Sequence, residues 1–175
     1  MSASPFDETT LALAERAVRA AVSAGVTLGC AESCTGGLVC AALTCISGSS
    51  AAVRGSVVSY DPAVKHGLLG VSNTIIDDPS VGVVSAECAA AMCVGAREAL
   101  ECDIAVSITG IAGPGGAEPG KPVGTVWFGL ATPRGVHTSM RSIDGDRDAV
   151  RNGAVRYALE LLCGGIAESR GVSGC

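Results

Sequence analysis

Aromatic side chains make up only 3% of this chain, with one Trp, two Tyr and two Phe in 175 residues. The core must then be built from Ala, Val, Leu and Ile, whose small volumes suit close packing of helix on sheet. Histidine is almost as scarce, with two residues, and none of the nine cysteines pair as C-x-x-C. Zinc ligation lacks its ligands on both counts, and no metal or other cofactor is expected. Basic runs are absent, and the formal charge is −5. A nucleic-acid partner has no electrostatic footprint here, so an anionic ligand must be held by a few placed groups. No run of 18 apolar residues occurs, so no transmembrane helix is expected. Residues 1–8 carry Asp7 and Glu8 and no basic segment, so no signal peptide is expected. An odd number of cysteines without an export signal points to reduced thiols filling apolar sites in a cytoplasmic protein.

The length suits one domain, expected over residues 1–163, with a small, polar, flexible tail at 164–175. Residues 7–24 place Leu11, Ala14, Val18, Ala21 and Val22 on one helical face, with Gly25 as the stop. Residues 26–31 read as a buried strand. Glu32, Ser33, Cys34, Thr35, Gly36 and Gly37 follow, and then a helix over 38–45. Strand, small-residue loop and helix is a layout that can receive an anion; the alternative is a tight turn capped by Ser33 or Thr35. Residues 71–84 read as irregular, and Ser85 caps a helix to Glu101. Residues 103–107 form a strand that opens into a glycine-rich loop over 109–124. Gly115, Gly120 and Lys121 nearly match a P-loop, but Pro122 follows where Ser or Thr and a helix are needed. Residues 124–131 and 136–143 form a hairpin at a sheet edge. Asp146 caps a last helix to Cys163, which sets Arg147 at a helix start. There it serves as an anion receptor or pairs with Asp144 or Asp148.

The stretch 48–65 carries the chemistry. Ser50, Tyr60 and Lys65 offer a hydroxyl, a phenol and an amine, enough for acid–base work without histidine or metal. They meet only if the chain folds back near Arg54 and Gly55, with a short helical turn over 49–53. Asp61 and Pro62 read as an N-cap and first helical residue. Lys65 then lies in the first turn, where the helix dipole and burial favour a neutral amine. The alternative is a surface lysine on a capped helix, and Ser49 and Ser33 are rival nucleophiles.

Taken in order, the motifs resemble the CinA C-terminal domain family, the nicotinamide-nucleotide amidohydrolases. They are residues 31–37, Gly48-Ser49-Ser50, Tyr60 with Lys65, residues 82–85, residues 109–114, residues 121–125 and Gly145-Asp146-Arg147 with Val150-Arg151. The chain looks like the stand-alone form, without the molybdopterin-binding-like domain of two-domain relatives. The resemblance implies a three-layer α/β/α sandwich with a mixed, mostly parallel sheet of about five strands. It implies hydrolysis of the carboxamide of nicotinamide mononucleotide to nicotinate mononucleotide and ammonia. By motif, Ser50 is the nucleophile, Lys65 its base and Tyr60 a proton relay. Thr109, Gly110 and Arg147 hold the substrate, and Glu32, Ser33, Thr35 and Gly36 line its pocket. A homo-oligomer is expected. The rival reading is a non-catalytic nucleotide-binding module linked to competence or recombination proteins.

Overall fold

The computed structural model describes residues 5–170. Five strands form one sheet in the order β2-β1-β3-β4-β5. They are β1 (Leu28–Glu32), β2 (Val53–Val58), β3 (Ile104–Gly110), β4 (Thr125–Thr132) and β5 (Gly135–Ser142). β1 pairs in parallel with β2 and β3, and β4 runs antiparallel to both β3 and β5. Only β4 is reversed, so the sheet is mixed with four strands in one direction. The central strands β1 and β3 are apolar and buried along almost their whole length, as strands covered on both faces must be.

Helices α1 (Glu8–Ala24), α2 (Leu38–Thr44) and α6 (Arg147–Arg170) cover one face. Helices α3 (Pro62–Leu69), α4 (Asn73–Ile76) and α5 (Ala86–Ala99) cover the other. The result is the expected α/β/α sandwich. Asp7 caps α1 through the Thr10 N–H, Asp61 caps α3 through the Ala63 N–H with Pro62 next, and Ser85 caps α5 through the Cys88 N–H.

Three expectations give way. Residues 73–76 form α4 inside the stretch expected to be irregular, with Ser72 accepting from the Thr74 N–H as its cap. α6 does not end at Cys163. It continues to Arg170, because Ile166 is buried and Gly165 packs against Leu130 and Thr132 of β4. The flexible-tail assignment therefore fails for 164–170, while 171–175 lie outside the described residues. Finally, the chain does not fold back at Gly55, which lies within β2.

The α3–α5 contact is close enough to need glycine. A Cβ on Gly95 would lie 2.0 Å from the Leu69 carbonyl oxygen. Gly95→Ala is expected to cost about 1–3 kcal/mol, read as a lower denaturation midpoint, because helix backbone must move. The displaced helix is the one that carries Lys65.

Candidate active site

In a sheet of this kind ligands sit beyond the carboxyl ends of the parallel strands. Here β1 ends at Glu32 and hands Ser33 to the loop, while β2 ends at Val58 and leads through Tyr60 into α3. Because the two strands are parallel neighbours, Ser33 and Lys65 emerge on the same side. They line a cleft of about 200 Å³ together with Cys34, Tyr60, Thr109 and Arg147.

Lys65 is the centre of it. Only 1% of the residue is exposed, although its amine is that of a normally solvated side chain. Nζ lies 2.9 Å from Ser33 Oγ, 2.5 Å from the Ser59 carbonyl oxygen and 3.5 Å from the Tyr60 carbonyl oxygen. Carbonyls only accept. As an ammonium, Lys65 donates to all three oxygens; once it loses a proton, its lone pair can accept from the one partner that can donate, the Ser33 hydroxyl. Burial holds the Lys65 pKa below the usual lysine range, opposed by Cys88, Cys34 and Asp61. Burial also pushes the Cys34 and Cys88 thiols up to about 11. Both stay protonated near neutrality, so no thiolate stands beside the Ser33 hydroxyl.

Ser50 is not part of this arrangement. It lies exposed in a 3₁₀ turn, Ser49–Ala51, before β2 begins. Six strand residues separate that turn from the cleft end, a span of roughly 20 Å at ~3.3 Å per residue. Ser49 shares that turn.

Tyr60 reaches the cleft by its rim. The residue is 65% exposed, and it is the backbone carbonyl, not the phenol, that faces Lys65. The phenol as proton relay therefore has no geometric support.

Glu32 is fully buried and faces away from the cleft. Its Oε2 accepts from Thr35 Oγ1 and the N–H groups of Gly37 and Val39, and its Oε1 accepts from the Cys40 N–H and Ser56 Oγ. Gly37 holds the N-cap position of α2 with no side-chain bond of its own. The carboxylate caps the helix instead of Ser33 or Thr35, and it occupies the N–H groups that were candidates for a substrate anion. Thr35 is buried against it, and neither Thr35 nor Gly36 lines the cleft.

Thr109 and Gly110, at the end of β3, do line the cleft. The Thr109 hydroxyl is already committed to the Val83 carbonyl at 2.6 Å, so it fixes the wall formed by Val83 and Val84. Arg147 is exposed at the cleft and donates one N–H to the Gly113 carbonyl at 2.7 Å. It forms no ion pair among the described residues, neither with Asp144 nor with Asp148. Its charge is available to an anion. Arg151, one turn further along α6, stood in a matched motif but was given no role. It donates from Nε to the Cys34 carbonyl and from Nη2 to the Thr35 carbonyl, both at 3.1 Å. Its i, i+4 relation to Arg147 was the available signal.

The profile of the CinA C-terminal domain matches residues 10–165. This chain belongs to the CinA C-terminal domain family. Among CinA relatives, the protein named nicotinamide-nucleotide amidohydrolase PncC of Escherichia coli K12 is 43% identical over 157 residues, covering 89% of this chain and 94% of its own. The protein of the same name from Enterobacter agglomerans is 48% identical over 132 residues, covering 75% of this chain and 79% of its own. A solved CinA structure, the competence/damage inducible protein CihA of Agrobacterium tumefaciens, superposes with a TM-score of 0.87. Its sequence is 40% identical, and the match covers 91% of this chain and 97% of that one. Among the described residues no helix is long and apolar enough to cross a membrane, and no group of His, Cys, Asp and Glu could hold a metal ion.

Proposed function

We propose that this chain is a cytoplasmic amidohydrolase that converts nicotinamide mononucleotide to nicotinate mononucleotide and ammonia, with Ser33 as nucleophile and Lys65 as its base. One observation carries the mechanism: a buried amine 2.9 Å from a serine hydroxyl in a cleft. The names of the relatives support the substrate. Ser33 Oγ bonds to the carboxamide carbon as its proton passes to Lys65 Nζ and the carbonyl electron pair moves onto oxygen. As the C–N bond breaks, Lys65 returns the proton to nitrogen, and ammonia leaves. Water, deprotonated by the same amine, then cleaves the acyl ester and restores Ser33. Arg147 is suited to the phosphate of the substrate. The exposed Tyr60 at the rim suits stacking against a flat heterocycle. A non-catalytic binding module would leave the Lys65–Ser33 contact without a use. A homo-oligomer belongs to the proposal: the unpaired edge of β5, with Val136 and Met140 exposed, supports it, and sedimentation velocity tests it.

The direct test is ammonia release from nicotinamide mononucleotide by the purified protein; absence of release from any pyridine nucleotide would sink the proposal. The pH dependence supplies a second check. kcat/KM is expected to rise with pH as Lys65 loses its proton, with an apparent pKa below the ordinary lysine value of about 10.4. The same group shapes stability. The native amine binds its proton less tightly than the unfolded one, so the unfolded chain holds more protons between the two pKa values. Stability should therefore increase across that window, with the penalty full below it and gone above it. An acidic limb unchanged in Lys65→Met would assign the titration elsewhere.

A further inference from the structure

Amide hydrolysis at Ser33 develops negative charge on the substrate oxygen, and the structure contains donors positioned to take it. The turn after Ser33 is held from two sides. On one side the Glu32 carboxylate takes the N–H groups of Gly37, Val39 and Cys40. On the other, Arg151 takes the carbonyls of Cys34 and Thr35. Within the turn, the Ser33 N–H donates to the Ile108 carbonyl at 3.0 Å and the Gly36 N–H to the Ser33 carbonyl at 3.1 Å. That leaves the N–H groups of Cys34 and Thr35. Among the described residues neither has an acceptor outside its own side chain, although Cys34 is 6% and Thr35 0% exposed. Buried backbone N–H groups without acceptors are rare in folded proteins, and one beside a nucleophile has a use.

The direction of these groups follows from the peptide plane. In a trans peptide the N–H points opposite to the carbonyl of the preceding residue. Arg151 draws the Cys34 carbonyl toward α6, so the Thr35 N–H points away from α6. The Ser33 carbonyl is turned to Gly36, so the Cys34 N–H points away from that bond. Cys34 lines the cleft and directly follows Ser33.

We propose that the backbone N–H of Cys34, the cleft residue that follows Ser33, forms the oxyanion site, and that Arg151 is the positioning residue that holds the turn around it through the Cys34 and Thr35 carbonyls. The inference rests on the reading of Ser33 as nucleophile. Arg151 touches no reacting atom; its guanidinium sets the orientation of peptide planes. Arg147, one helical turn earlier, is left for the substrate, so the two arginines of α6 divide the work.

The test replaces a single N–H. Position 34 is built with lactic acid by α-hydroxy acid incorporation, which exchanges the N–H for an ester oxygen, and is compared with Cys34→Ala as the reference. kcat is expected to fall about 10²–10³-fold relative to that reference, with KM nearly unchanged. Arg151→Ala, which keeps every N–H, should lower kcat at least 10-fold, leave the Lys65 limb of the pH profile in place, and recover in part when guanidinium is added at low millimolar concentration. Equal kcat for the ester and its reference overturns the oxyanion site, and a change in KM alone does the same, because it marks ground-state binding. If the ester stays active while Ser33→Ala is inactive, the Ser33 reading stands and this inference falls. If Ser33→Ala retains full ammonia release, the reading itself fails.

Discussion

Ser33→Ala is expected to lower ammonia release by at least about 10³-fold, and Lys65→Met by a similar factor, because members of a nucleophile–base pair act as a unit. The double variant should be scarcely worse than either single one. Ser50→Ala is the contrasting measurement. That hydroxyl lies at the opposite end of β2 from the cleft, and its loss should leave kcat/KM within a few-fold of the unaltered protein. The opposite pattern, an inactive Ser50→Ala with an active Ser33→Ala, would require the two ends of β2 to exchange places and would overturn the mechanism. Lys65→Met keeps most of the side-chain volume in a fully enclosed site, so a folded and inactive protein is the expected result.

The second large effect falls on stability. Glu32→Ala removes a carboxylate whose two oxygens satisfy three backbone N–H groups and two hydroxyls. The donors left behind are enclosed, and the expected cost is about 3–5 kcal/mol, as for breaking a buried charge network from one side. Glu32→Gln should recover only part of this, since its amide brings N–H groups against N–H groups. Chemical denaturation measures both. A loss under about 1 kcal/mol would mean that water replaces the carboxylate freely, which a fully buried position does not allow.

Much of this was legible from residue order. Asp61 and Pro62 announced α3, and with it Lys65 in a first turn. The alternation after Pro133 announced the edge hairpin. The choice among serines was not legible from spacing. Ser50 stands nearer in sequence to Lys65, but the parallel pairing of β1 and β2 brings a residue 32 positions away into hydrogen-bond range. Nearness along the chain counts for little when a strand lies between. The anchoring role of Glu32 was hidden for another reason. Its carboxylate turns back to cap the helix of its own loop, which requires the positive φ of Gly36 and Gly37, at +62° and +98°. Those glycines belonged to a layout that can receive an external anion, and they serve an internal one. The end of α6 was misjudged on composition: two glycines and a polar tail outweighed Ile166, whose burial against the sheet continues the helix.

A helix start occupied by the protein's own carboxylate changes what a ligand has to contribute. Loops that gather around a phosphate are shaped by its arrival, and they discriminate by failing to assemble around anything less. Here the turn bearing Ser33 is braced before any visitor enters. A nucleoside lacking its phosphate would find the same finished reaction centre, and its handicap would lie in residence time rather than in turnover once seated. On the proposed reading, selectivity passes from the chemical step to the grip of Arg147 on the phosphate, and one surface arginine tunes the range of carboxamides accepted.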